Sequence, residues 1–133
     1  MTKVWVNGCF DILHRGHVEL FKYAKSLGDQ LFVGIDSDEK VKKDKGIDRP
    51  FNNVQDRSLM LNSIKYIDQV KIFYSKETLE HLIESLSPDI IVVGSDWKGK
   101  EIVGGNYAKE IVYFDRIENY STTNILKWKN SQK

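Results

Sequence analysis

Two histidines three positions apart, His14 and His17, close the stretch NGCFDILHRGH, which also holds the chain's single cysteine, Cys9. Three chemistries are open to such a group. As a metal site, Cys9, His14 and His17 would offer the sulfur and nitrogen donors that zinc accepts, with water in the fourth position. Their spacing matches no common zinc pattern, and no second Cys or His cluster follows downstream. As a redox site the stretch rests on one thiol, and a lone cysteine among apolar neighbours is more often a packing residue than a nucleophile. An anion site has more behind it. Gly8 lets the chain turn tightly after a first strand, and Gly16 lies where a helix begins, so free backbone N–H groups and the helix dipole face one point. Both imidazoles lie near that point and can donate to a phosphate whose charge grows in a transition state. Capping or packing alone is the weaker reading for two histidines on one strand-to-helix turn.

The elements that position this turn follow from periodicity. Residues 3 to 7, KVWVN, alternate around Val4 and Val6 and run into Gly8; Val18, Leu20, Phe21, Ala24 and Leu27 then recur at helical spacing up to Gly28. Leu31 to Ile35 form a short apolar run, as expected of a strand covered on both faces of a parallel sheet, and complete a βαβ unit by Asp36. The polar, lysine-rich stretch DSDEKVKKDKGIDRPFNN, with Gly46 and Pro50, predicts a long loop with a short helix at its start. Loops of that length are uncommon without a function.

A helix in VQDRSLMLNSI, a strand in QVKIFY and a helix in KETLEHLIESL come next, the last N-capped by Ser75 and ended before Pro88. The strand DIIVVG, the loop SDWKGKEIVGGN, the strand EIVYFD, the loop RIENY and a helix from STTNILKW complete the chain. This alternation predicts an α/β fold: a Rossmann-like, doubly wound, mainly parallel five-stranded sheet with helices on both faces, in a single domain over 1–133. Polar loops at Gly8, Asp36, Gly94 and Asp115 all follow strands, and so share the rim where such sheets bind ligands.

Composition narrows the partners. A chain of 133 residues can bury about two-thirds of its unfolded surface. Its 20 Lys plus Arg against 19 Asp plus Glu leave a net charge of +1, which argues against a nucleic-acid binder and requires any polyanion site to be local. One cysteine makes no internal disulfide, no secretory leader is recognisable, and no apolar run nears the roughly 20 residues of a membrane span, so a cytoplasmic protein without membrane insertion is expected.

His14-Arg15-Gly16-His17 has the HxGH form of the nucleotidyltransferase superfamily, whose Rossmann-like sheet is shared with class I aminoacyl-tRNA synthetases. NGCFDILHRGH, GIDSDEKV, KGIDRPFN, QDR, GSDWKGKEIVG and YSTTNI resemble, in that order, segments of the cytidylyltransferase-like family, over nearly the whole chain. Two branches of that family compete. NGCFDILH with Cys9, KGIDRPFN, KEIVGG and YSTTNI resemble adenylyltransferase domains that convert heptose 1-phosphate and ATP to ADP-heptose. IKYIDQV, SDWKGK and Arg116 ahead of STT resemble enzymes that make CDP-glycerol from glycerol 3-phosphate and CTP. The heptose branch is placed first, with base and acceptor left to the loops. A nucleotide-binding module without catalysis is the alternative from another class.

The reaction this resemblance implies is attack by an acceptor phosphate oxygen on the α-phosphorus of a nucleoside triphosphate, with pyrophosphate leaving. The acceptor phosphate is already ionised near neutral pH, so alignment and positive electrostatics are needed rather than a general base. By resemblance, His14, His17 and Lys45 are catalytic. The histidines meet the α- and β-phosphates, and Lys45 reaches the triphosphate or the acceptor phosphate. Gly8, Cys9, Phe10 and Gly16 would line the nucleotide, and Asp11 would hold the loop or help to place the metal-bound triphosphate. Gly94, Asp96 and Trp97 would meet the nucleoside, though Trp97 could equally be a core or dimer residue. Arg116 is assigned a phosphate, against an ion pair with Glu118. Ser121, Thr122 and Thr123 are assigned the β- and γ-phosphates, against an ordinary N-cap. Asp36, Asp38, Lys45 and Arg57 are assigned to the acceptor, with a helix-surface pair as the alternative for Arg57. Lys40, Lys42 and Lys43 read as a solvated face and His81 as structural. Mg²⁺ is expected to arrive with the triphosphate, with no dedicated protein site, and a homodimer is implied.

Overall fold

The β-branched runs of the sequence all enter one sheet. The computed structural model describes residues 1–115. In chain order it holds β1 (Lys3–Gly8), α1 (Arg15–Ser26), β2 (Gln30–Asp36), α2 (Asp38–Lys45), α3 (Val54–Asn62), β3 (Gln69–Phe73), α4 (Lys76–Leu86), β4 (Ile90–Gly94) and β5 (Glu110–Phe114). Turns of 3-10 helix at Ser95–Trp97 and Gly105–Tyr107 occupy the connection from β4 to β5. The strand order is β3-β2-β1-β4-β5, and all four pairings are parallel. The expectation of a mainly parallel sheet is thus sharpened to an all-parallel one among the described residues. The chain moves outward from β1 to β3, then returns to the other side of β1, so strand order reverses between β1 and β4. Ligands of open α/β sheets bind outside the carboxyl ends at such a reversal.

Alternation along β1 divides the core. Val4 and Val6 join Phe21, Ala24, Leu31, Val33, Ile35 and Leu61 on one face, under α1 and α3. Trp5 joins Phe32, Phe73, Leu79, Ile83 and Ile91 on the other, under α4. The Trp5 ring lies directly over Gly34 on the neighbouring strand, where any Cβ would overlap it. Glycine there is a packing requirement.

Local signals act as the sequence predicts at α4. Ser75 Oγ accepts from Thr78 N and the Thr78 hydroxyl accepts from Ser75 N, a capping box, and the helix ends at Ser87 in the left-handed region, one residue before Pro88. The stretch expected as a long loop is different. Its first part is the eight-residue α2, capped by Ser37 and closed by Gly46 at φ 109°, which leaves a loop only over 46–53. Val41 is the buried residue of that helix, so apolar periodicity gave little sign of it. Among the described residues no helix is long and apolar enough to cross a membrane. The helix expected from STTNILKW, and with it Arg116, Ser121, Thr122 and Thr123, lies outside the described residues.

Candidate active site

Gly8, Asp36 and Gly94 end β1, β2 and β4 and stand on one rim, and Asp115 follows β5 there. The turn from β1 to α1 is built around Phe10, a non-glycine residue at φ 49°. Its buried ring covers Gly8, where a Cβ would sit 3.0–3.3 Å from ring carbons. The same ring meets His17 edge-on, at 5.2 Å and 88° between planes, and Phe21 at 5.0 Å. A left-handed residue at a functional turn stores strain that surrounding packing must hold.

His14 is the N-cap of α1. Its Nδ1 accepts from Gly16 N at 3.0 Å, and its own backbone N donates to His17 Nδ1 at 3.4 Å. The two rings stack, with centroids 3.8 Å apart and 23° between planes. Because each Nδ1 is an acceptor, the neutral rings carry their proton on Nε2. The cap thereby favours the Nε2–H tautomer of both neutral rings and sets them side by side at a helix N-terminus, with His14 Nε2 itself buried.

Cys9 follows directly on β1 and is half-buried. Burial pushes its thiol up from the ordinary value, more than the opposing positive charges of Lys45 and Arg57 pull it down. Lys45 is exposed on the last turn of α2.

Asp11 has its side chain fully buried. Oδ1 accepts from Asn52 N at 2.8 Å, Oδ2 accepts from Phe51 N at 2.7 Å and from Arg49 Nε at 3.1 Å, and its carbonyl accepts from Asn52 Nδ2 at 2.7 Å. Of its two expected roles, these contacts belong to the first, holding a loop.

Arg57 requires a correction. It is neither a surface pair nor a ligand for an acceptor phosphate, because its guanidinium is fully buried and spent on protein acceptors. Nη1 donates to Cys9 O at 3.1 Å and to Asp36 O at 2.8 Å, Nε to Asn52 O at 3.0 Å, and Nη2 to Asp38 Oδ1 at 2.7 Å. Burying a charge without such partners would be prohibitive. Asp38 is engaged in the same contact. Asp36 pairs through its carboxylate with Lys40 at 3.1 Å, and Lys40 also reaches Asp44 at 2.6 Å. Lys40 is thus no part of a solvated face. Partial burial opposes its charge, but the bonds to Asp44 and Asp36 outweigh this and hold the ammonium above its ordinary value.

At the end of β4, Asp96 Oδ1 lies 2.5 Å from where a Cβ on Gly94 would stand, so a side chain at 94 would displace that carboxylate. Trp97 is 46% exposed, which rules out the core role, and Lys100 Nζ lies 5.8 Å from its ring centroid. His81 lines a groove beside β3 with Ile72, Tyr74 and Leu82. Among the described residues no three His, Cys, Asp or Glu side chains are placed to hold a metal ion.

The cytidylyltransferase-like family model matches residues 5–127. The chain belongs to this family. It is 50% identical over 124 residues to the bifunctional protein HldE of Nitratiruptor sp., covering 93% of this chain and 27% of that protein. With the bifunctional protein HldE of Campylobacter fetus it shares 46% over 125 residues, again 27% of the relative. The chain thus spans about a quarter of the length of these curated relatives. Among solved structures, the lipopolysaccharide core biosynthesis protein of Thermoplasma volcanium superposes with a TM-score of 0.69 at 29% identity, over 91% of this chain and 99% of that one. A protein of Archaeoglobus fulgidus with a TM-score of 0.65 and 18% identity shares the fold.

In this cytidylyltransferase-like chain, sequence reading marked Arg49 and Asn52 only as part of the KGIDRPFN segment, without a role, and misplaced Arg57. Their sequence-level signal is the KGIDRPFN and QDR segments, which do not distinguish a buried hub from a surface pair. The turn itself, from Gly8 through His17, stands where periodicity and motif put it.

Proposed function

We propose that this domain is a nucleotidyltransferase: an oxygen of an acceptor phosphate attacks the α-phosphorus of a nucleoside triphosphate, a new P–O bond forms, and the bond to the β-phosphate oxygen breaks to release pyrophosphate. The observation that carries this reading is the stacked His14–His17 pair, whose Nδ1 atoms are both acceptors within the N-cap of α1. The Nε2–H groups of the pair, set at the positive end of a 12-residue helix whose Gly16, His17 and Val18 amides are already taken by His14, suit charge that accumulates on phosphate oxygens. Lys45 adds a positive charge from α2. Mg²⁺ enters with the triphosphate as part of that substrate, since the Asp11, Asp36 and Asp38 carboxylates are engaged with protein donors.

Heptose 1-phosphate with ATP is the substrate pair we place first. The resemblance of NGCFDILH, KGIDRPFN and KEIVGG supports it, as do relatives that carry the name bifunctional protein HldE. Glycerol 3-phosphate with CTP is the second reading, favoured by SDWKGK and IKYIDQV. The reading includes a cytoplasmic location, where both substrates are supplied, and a homodimer, for which the exposed Leu59, Met60 and Tyr74 offer apolar surface.

The test is a matrix of four nucleoside triphosphates against several phosphorylated acceptors, read as pyrophosphate release. Release that depends on one acceptor supports the proposal and names the pair. Triphosphate binding without acceptor-dependent release would instead make the chain a nucleotide-binding module. His14→Ala and His17→Ala are each expected to lower turnover by about a hundredfold or more, the scale of a lost transition-state donor. Unchanged turnover in both would remove them from the chemistry.

A further inference from the structure

We propose that Arg57 is a positioning residue: it holds the arm that carries Lys45 in register with the turn that carries His14 and His17. The catalytic half of this statement rests on the nucleotidyl-transfer reading. The structural half stands on contacts alone.

The four acceptors of the buried guanidinium lie on separate segments. Cys9 O belongs to the turn after β1, Asp36 O to the end of β2, Asn52 O to the loop before α3, and Asp38 Oδ1 to the first residue of α2. A planar group with five fixed donors can span such a set, whereas a lysine ammonium is a single point with three. The partner residues are 48, 21, 5 and 19 positions away along the chain. One side chain therefore measures the distance between elements that share no local geometry.

The arm needs such a measure. Residues 42–48 are all exposed, and Val41 is the buried residue of α2, so little apolar area holds the helix in place. The arm over 36–52 is held by polar contacts at its two ends. At the first, Asp38 and the Asp36 carbonyl are tied to Arg57. At the second, Asp11 takes Phe51 N, Asn52 N and Arg49 Nε, and Asn52 O returns to Arg57. Lys45 stands between these pins, and its location relative to the histidine turn is inherited from them. Buried ion pairs are poor sources of net stability, and registry is their better-attested use. A displacement near 1 Å at a reacting group costs on the order of a hundredfold in rate.

The experiment uses the full chain with whichever substrate pair gives turnover. Arg57→Lys is expected to lower kcat by about tenfold or more with the triphosphate KM changed by less than about threefold. In a Lys45→Ala background the same substitution is expected to cost less than about twofold, because the group it positions is gone. Equal losses in both backgrounds would overturn the proposal. A second readout needs no activity: hydrogen exchange at the amides of residues 41–46 should quicken by about tenfold or more in Arg57→Lys, with β4 and α4 unchanged. Unchanged exchange in α2, or equal quickening everywhere, would overturn it too. Asp38→Ala, which cuts only the bond to α2, is expected to reproduce both patterns, and covers the case in which Arg57→Lys fails to fold. Failure of the transfer reading is seen separately, as a wild-type chain that turns over no pair.

Discussion

Replacing Asp11 by asparagine keeps the shape of the side chain and changes its charge and its hydrogen-bonding sense. Three donors converge on the buried carboxylate: Asn52 N on Oδ1, and Phe51 N with Arg49 Nε on Oδ2. An amide has one acceptor oxygen. Its better orientation places that oxygen at the Oδ2 position, keeps two donors, and sets an NH₂ against Asn52 N–H. One unsatisfied buried donor costs about 1–3 kcal/mol, and loss of the charge weakens each remaining bond by about 0.5–1 kcal/mol. The sum is about 3 kcal/mol. With a urea m-value of about 2 kcal/mol/M, the unfolding midpoint should fall by about 1.5 M. Equilibrium urea unfolding followed by tryptophan fluorescence and circular dichroism measures this directly. Asp11→Ala should fall further, by the roughly 3–5 kcal/mol of a broken buried pair. A midpoint shift below about 0.3 M in Asp11→Asn would refute the reasoning, since the loop over 49–52 would then be held by something other than this carboxylate.

Three further outcomes follow from the geometry. Because burial raises the Cys9 thiol, iodoacetamide at neutral pH should modify it more slowly than a free cysteine, with the rate still climbing above about pH 8.5, and Cys9→Ser should keep turnover within about threefold. Burial works against the Asp68 carboxylate, but hydrogen bonds from Lys25 and from Leu31 N, with the charge of Lys25, outweigh it and hold the group below its ordinary value. A lowered carboxylate stabilises the fold above its unfolded value and loses that contribution as pH falls through the folded one, so the wild-type urea midpoint should drop below about pH 4 and Asp68→Asn should drop less. Gly8→Ala places a Cβ against the Phe10 ring, which packs on His17; turnover should fall by about tenfold, with about 1–3 kcal/mol of overpacking visible in thermal unfolding.

Asp36 and Lys40 show how far local reading goes. They are four residues apart, and their pairing was within reach of sequence; it was missed because a lysine-rich stretch is usually solvated. Cys9 and Arg57 are 48 apart, and Asp11 and Asn52 are 41 apart. No pattern in the intervening residues encodes those meetings. The sequence alone was enough for the strand and helix order, the capping of α4, the alternation that splits the core, and the His14–His17 turn at a helix start, because each depends on neighbours within one or two turns of chain. Tertiary structure alone decided that the reversal of strand order falls between β1 and β4 and that Arg57 and Asp11 become buried hubs. These depend on which buried donors find which buried acceptors once the sheet has closed over them, and that accounting exists only when distant segments share one dry interior.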